Sequence, residues 1–338
     1  MHIPSVIKTV VKVMVLAILT ISFLSVLVIV FVTLKKPQNV IDFIHYITPT
    51  GTPTPMHVKG IAVLGDSQSD EYRTDDNRGV SYADTTYNWV ELLAKKRNLP
   101  FGDSGTWDEP RRSGFEYNWA RSGATTKSLL ASGQHLGVAE QVRKGEVNIV
   151  IMYIGAIDFA PYITPDGYEA LYERQLSDPQ ILEKSNNVVA DIQTAIDTIR
   201  AAGDIKILLI LIPDWGNNTA VQVAFPLPYQ RARVTQVIDL TNNELKKVAD
   251  ERSIPTLDPN QFYRNLFSPG SRITVGDIEL NGIFPSDNPR SVFLNDGVHT
   301  GTVLNGLFAN TVVQHLNSLV GTKITPLQDI EILSESGL

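Results

Sequence analysis

Four short apolar runs punctuate the chain: Ile61–Leu64, Val147–Ile154, Ile205–Ile212 and Ile254–Leu257. Gly65 ends the first and Pro213 stops the third. Runs of this length and apolarity predict strands buried on both faces. Between and after them lie segments of helical periodicity: Trp89–Lys96, Pro179–Ala202 closed by Gly203, Tyr229–Arg252, and Thr302–Val320 closed by Gly321. Strand and helix in alternation predict an α/β fold with a parallel sheet covered on both faces. Residues 259–295, rich in Pro, Gly and Asn, predict an irregular excursion. Residues 322–338 predict a loose tail. No internal repeat is present.

The N-terminal pattern is different. Val13–Leu34 is a charge-free run of 22 residues dominated by Val, Ile, Leu and Phe. As a helix it would span roughly 33 Å, enough to cross a bilayer. Lys35 and Lys36 follow with no Ala-x-Ala pattern, which favours an uncleaved anchor over a cleaved signal. The expected organisation is an anchor over 1–34, a Thr/Pro-rich stalk over 35–57, a catalytic domain over 58–321 and a tail over 322–338. The flanking lysines lean toward a cytoplasmic N-terminus, with the domain outside the cytoplasmic membrane. Membrane contact through residues 13–34 and a single-pass location are therefore expected.

Charge and composition narrow the chemistry. Four of the 29 basic residues, Lys8, Lys12, Lys35 and Lys36, fall in the first 36 positions, where no acidic residue occurs. The remaining chain is strongly acidic and shows no basic patch, which argues against nucleic acid as a partner. The chain has no cysteine, so disulfides, thiolate catalysis and thiolate metal sites are excluded. None of the common zinc-protease, phosphate-loop or dinucleotide patterns occurs. The acidic stretch Asp70-Glu71 to Asp75-Asp76 lacks the Gly and terminal Glu of a calcium loop and reads as a solvated loop. No metal and no cofactor is expected.

Two short segments carry the candidate chemistry. Gly65-Asp66-Ser67-Gln68-Ser69-Asp70 comes directly after the first strand, and Asp296-Gly297-Val298-His299 precedes the last helix. A serine at the C-terminal end of a buried strand stands where ligands collect in open α/β folds. Asp and His three positions apart can share one side of a turn, giving a general base and its orienting carboxylate. Ser67, His299 and Asp296 are thus candidate nucleophile, base and partner. The chain has six histidines; His2, His45 and His57 precede the domain, His135 has no neighbouring acid, and His315 lies inside a helix. The competing reading of each segment is a turn or cap: Ser67 and Asp66 capping the next segment, Asp296 capping the last helix.

These residues complete a resemblance. Gly65-Asp66-Ser67, Asn118-Trp119-Ala120-Arg121-Ser122-Gly123-Ala124-Thr125, Gly155-Ala156-Ile157-Asp158 and Asp296-x-x-His299 resemble, in order and spacing, the four blocks of the SGNH or GDSL-type hydrolases. The likeness spans about residues 59–318. It implies a flavodoxin-like three-layer α/β/α sandwich. It implies a serine esterase or lipase that cleaves acyl esters of lipids, glycans or small molecules through a covalent acyl-enzyme, without metal or organic cofactor. By the same resemblance Ser67 is nucleophile, His299 base, Asp296 its partner, and the N–H groups of Ser67 and Gly123 are oxyanion donors.

One block departs from the family. Its third block is Gly-x-Asn-Asp, with the Asn side chain as a further oxyanion donor; here that position is Ile157. Losing such a donor costs about 2.7–4 kcal/mol in turnover. Another side chain, Asn118 or Asn295, supplies it; or two backbone donors suffice at a lower rate; or the domain is a non-catalytic carbohydrate- or lipid-binding module. Around the site, Asp66, Asn118, Ile157, Asp158 and Trp215 are expected near the substrate. Asp158 is divided between shaping its loop and a place in the site. Arg121 reads as a surface ion pair before a substrate contact. Trp215 and Phe159 stand just past strand ends and suit either the acyl pocket or the core.

Overall fold

The computed structural model describes residues 56–74, 78–267, 272–281 and 288–338. Four strands form the central sheet: β1 Ile61–Gly65, β2 Ile149–Tyr153, β3 Lys206–Ile210 and β4 Thr256–Leu257, in the order β1-β2-β3-β4. All three pairings are parallel, with Ile61 opposite Ile149 and Ile149 opposite Lys206. On the free side of β1, Val63 N–H donates to Tyr117 O (2.9 Å) and Trp119 N–H to Val63 O (2.8 Å). This parallel bridge, Val63 with Asn118, adds a fifth short position to the sheet.

Alternation along the strands separates two apolar cores. Ile61, Val63, Ile149, Ile151, Leu208 and Ile210 face one core. Ala62, Leu64, Val150, Met152, Ile207 and Leu209 face the other. Helices α1 (Trp89–Arg97) and α6 (Thr302–Val320) cover the first through Trp89, Leu92, Phe308 and Val312. Helices α3 (Gln134–Arg143), α4 (Asp178–Ala202) and α5 (Pro228–Glu251) cover the second through Val138, Ile192, Ile196 and Ile238. A short helix, α2 (Thr126–Ala131), precedes α3. Helix starts obey local chemistry. Asn88 accepts from the Glu91 amide while the Glu91 carboxylate accepts from Asn88 N–H, a capping box. Pro opens α5 at a position that needs no N–H.

Several expectations are corrected. The anchor over 13–34 and most of the stalk lie outside the described residues, and among the described residues no helix is long and apolar enough to cross a membrane. The fold is therefore a three-layer α/β arrangement without a transmembrane helix among the described residues. Membrane anchoring through residues 13–34 and a single-pass location in the cell membrane find no support. The last stalk positions pack on the domain: Met56 N–H donates to Val320 O (2.9 Å) and His57 O accepts from Asn148. The tail is not loose. It contains α7 (Asp329–Glu335), with Ile332 and Leu333 buried and Glu331 and Glu335 paired to Arg97, Lys95 and Lys96 of α1. The excursion opens with a helix, Pro259–Leu266, capped by the Asp258 side chain on Asn260 N–H (2.9 Å). A two-stranded hairpin, Thr274–Val275 with Ile278–Glu279, comes next.

Candidate active site

Every parallel strand ends at the same edge of the sheet, and the chain leaving each one supplies part of the site. From β1 the chain turns sharply: Ser69 and Asp70 N–H both donate to Asp66 O (3.0 Å), and Gln68 N–H donates to Asp66 Oδ1 (2.9 Å). Gly65 has no room for a side chain, since a Cβ would lie 2.7 Å from Tyr153 O. Ser67 sits on this turn and is largely buried. The turn is held from both sides. Trp89 of α1 donates to Ser69 Oγ (3.3 Å), and the Asn118 amide donates to Ser69 O (2.8 Å). Glu91 accepts from Tyr72 and Arg73 N–H (3.2 Å each).

Asp66 faces inward. Burial pushes its carboxyl up to about 7, with the Gln68 and Ala156 amides opposing and Asp158 adding to the rise. Its work is to shape the turn. The same is true of Asn118, whose Oδ1 also accepts from Ala120 N–H (3.1 Å). Asn118 fastens the edge strand to the Ser67 turn.

Asp296 and His299 lie on one turn ahead of α6. Asp296 Oδ1 accepts from Val298 N–H (2.8 Å) and His299 N–H (2.9 Å). Its Oδ2 lies 2.7 Å from His299 Nδ1. A carboxylate only accepts, so Asp296 draws the imidazole proton to Nδ1 and turns Nε2 to the far side of the ring. Burial raises the Asp296 carboxyl, but the His299 hydrogen bond and charge and the turn amides outweigh it and hold the group well below the usual carboxylate range. The Tyr72 ring stands edge-on to the imidazole, centroids 5.8 Å apart. The Ser67 segment and the His299 turn therefore meet through Tyr72.

Arg78, which sequence reasoning missed, ties these parts to the third. Its Nη1 lies 3.0 Å from His299 Nδ1 and 3.4 Å from Asp296 Oδ2, and its Nη2 donates to Ser122 Oγ (3.0 Å). Ser122 N–H in turn donates to Asp70 Oδ2 (2.7 Å). Gly123 is next in the chain at φ 77°, in the left-handed region that favours glycine. Among the described residues, neither Ser67 N–H nor Gly123 N–H has an intramolecular acceptor.

The end of β2 and the surface around it account for the other expected residues. Ile157 is buried in the turn after β2 and offers no donor. Asp158 accepts from Thr126 N–H and Thr126 Oγ1 (3.0 Å each), pinning the start of α2. Burial raises its carboxyl to about 6 against those bonds and nearby Lys184. Asn295 is exposed on the His299 loop. Arg121 reaches Glu109 (3.4 Å) and Pro110 O (2.7 Å), a surface pairing. Phe159 is fully buried in the core. In the acidic stretch, Glu71 accepts from Phe115 N–H (2.8 Å), and among the described residues no cluster suited to a metal ion exists.

Trp215 lines a cavity of about 40 Å³. Its indole donates to Ala156 O (2.7 Å), which locks the turn after β3 to the turn carrying Ile157. Gln68, next to Ser67, and Val298 and Thr300, on either side of His299, line the same cavity. Asn218 joins its wall to the His299 turn by donating to Gly297 O (2.7 Å).

The chain resembles solved structures at low identity. An extracellular lipase from Streptomyces rimosus is 17% identical over 74% of this chain and 99% of that one, with a TM-score of 0.43. A putative GDSL-like lipase from Parabacteroides merdae is 16% identical over 78% and 100%, with a TM-score of 0.44. A putative acylhydrolase from Bacteroides fragilis is 14% identical over 80% and 92%, with a TM-score of 0.40. No curated protein matches the chain. The family model described as GDSL-like lipase/acylhydrolase matches residues 63–287, about two-thirds of the sequence. The chain belongs to that family and is an ester hydrolase of the GDSL type.

Proposed function

We propose that Ser67, His299 and Asp296 carry the reaction, with the N–H groups of Ser67 and Gly123 as oxyanion donors. Ser67 Oγ forms the new C–O bond to the ester carbonyl as its proton passes to His299 Nε2. The negative charge on the carbonyl oxygen meets the two N–H groups. Collapse expels the alcohol, which takes the proton from His299. Water, deprotonated by His299, then releases the acyl group as a carboxylic acid and restores Ser67. Asp296 keeps the imidazole in the required tautomer and steadies the imidazolium.

The observation that supports this reading best is the Asp296 carboxylate, which accepts His299 Nδ1 with one oxygen and the His299 backbone with the other. Ile157 apart, nothing among the described residues speaks for a non-catalytic binding module. The test is hydrolysis of p-nitrophenyl esters by the full-length chain beside Ser67→Ala. The variant should lose activity by about 10³-fold or more with its fold intact. Equal activity in the variant would remove Ser67 from the mechanism. Labelling by a fluorophosphonate probe in the wild type alone is the expected companion result.

A further inference from the structure

The cavity beside the Ser67 and His299 turns has a chemistry of its own. One wall is an aromatic stack: Tyr263 and Phe267 lie with centroids 6.1 Å apart, and Phe267 and Phe293 continue it at 5.8 Å. Trp215 and Val298 add further apolar surface. Two polar groups in the lining are unsatisfied, and the Tyr153 hydroxyl is one of them. The Asn217 side-chain nitrogen Nδ2 is buried and has no hydrogen-bond partner.

Asn217 is held firmly in place. Its backbone N–H donates to Asp214 O (3.1 Å). Asp214 accepts from Gly216 N–H (2.8 Å) and from Thr235 of α5 (2.7 Å). The next residue, Asn218, is bonded to the His299 turn. This wall of the cavity is thus fixed relative to the candidate base.

We infer that this cavity takes the acyl half of the ester and that it favours short acyl groups such as acetyl or propionyl. The inference rests on the ester-hydrolase mechanism proposed above. Size favours a short group: the space between these walls measures about 40 Å³, and a water-sized group needs about 10–15 Å³ on this scale. Room for about three non-hydrogen atoms matches an acetyl group. A medium-chain acyl group would extend beyond the space that the aromatic stack bounds.

The test compares p-nitrophenyl acetate, butyrate and octanoate on the full-length chain. Wild type should favour acetate over octanoate by about 100-fold or more in kcat/KM. Phe267→Ala should narrow that ratio by about tenfold, and Phe267→Leu should move it the same way by less. Because both esters are read on one preparation, a partly unfolded variant does not disturb the ratio. Wild type cleaving octanoate as well as acetate, or a ratio unmoved by both Phe267 variants, would overturn the pocket. Short-chain against long-chain alkyl fluorophosphonate labelling of Ser67 reads the same preference when turnover is slow. Failure to hydrolyse or label at all would overturn the proposed mechanism, and the pocket with it.

Discussion

Asp296 grips His299 twice: Oδ2 lies 2.7 Å from the imidazole Nδ1, and Oδ1 accepts the His299 backbone N–H at 2.9 Å. One carboxylate therefore sets both the position of the histidine and the placement of its proton. Asp296→Asn keeps the size but presents an N–H where Oδ2 stood, which favours the wrong tautomer. We expect kcat to fall by about 10³–10⁴-fold. Circular dichroism should be unchanged. A loss below about tenfold would show that the imidazole is oriented without Asp296.

Gly123 separates folding from catalysis. Its φ is 77°, yet a Cβ there would meet nothing within 4 Å. Gly123→Ala should therefore cost only about 1 kcal/mol of stability, from backbone strain alone. The N–H it carries should shift, and kcat should fall by about tenfold or more. Thermal melting and ester turnover measured together check both halves. Full activity in this variant would exclude Gly123 N–H as an oxyanion donor.

Ile157 gives a test in the opposite direction. Asn118 is committed to Ser69 O and Ala120 N–H, so it does not stand in for the missing side chain. Ile157→Asn should raise kcat by roughly tenfold. Stability should drop, because an amide replaces a buried apolar side chain. Turnover that stays level in a folded variant would mean that the site is already complete.

Buried carboxyls set the pH dependence of stability. Burial pushes Glu71 up to about 8 and Glu91 up to about 7, with backbone amides opposing in both. In the unfolded chain such groups titrate near about 4.3. Between about pH 4 and pH 8 the folded protein keeps protons that the unfolded chain has released, so stability falls as pH rises through that window. Glu71→Gln removes one of these groups. Its Tm should fall less than that of wild type between about pH 5 and pH 9. Parallel Tm curves for the two proteins would remove Glu71 as a source of the effect.

How much was legible in the sequence depends on how each feature is encoded. The buried strands and long helices are written in periodic patterns, and Ser67, Asp296 and His299 stand at fixed offsets from them. Arg78 and Asn217 have no such offset. Arg78 finds its partners, His299 and Ser122, in distant segments, and Asn217 is set by a turn whose place beside the His299 loop is fixed only by the fold. Nothing local marks them. Helix α7 escaped because its burial depends on two apolar residues, Ile332 and Leu333, with acidic neighbours that suggest a solvated end. Its stability comes from α1, which is remote in sequence. Glu71 and Glu91 look like surface charges until the chain folds backbone amides onto them.

The contacts of α7 reach further than its size suggests. Glu331 and Glu335 grip Arg97, Lys95 and Lys96 at the end of α1. The other end of that helix holds the Ser67 turn through Trp89 on Ser69 Oγ and Asn88 on Asp70 O. Helix α1 thus acts as a lever arm with its far end braced by α7. Salt that screens the exposed pairs would slacken the brace before it touched any reacting group. The protein's response to ionic strength would then register as a gradual loosening of Ser67's footing, with the residues around it still in place.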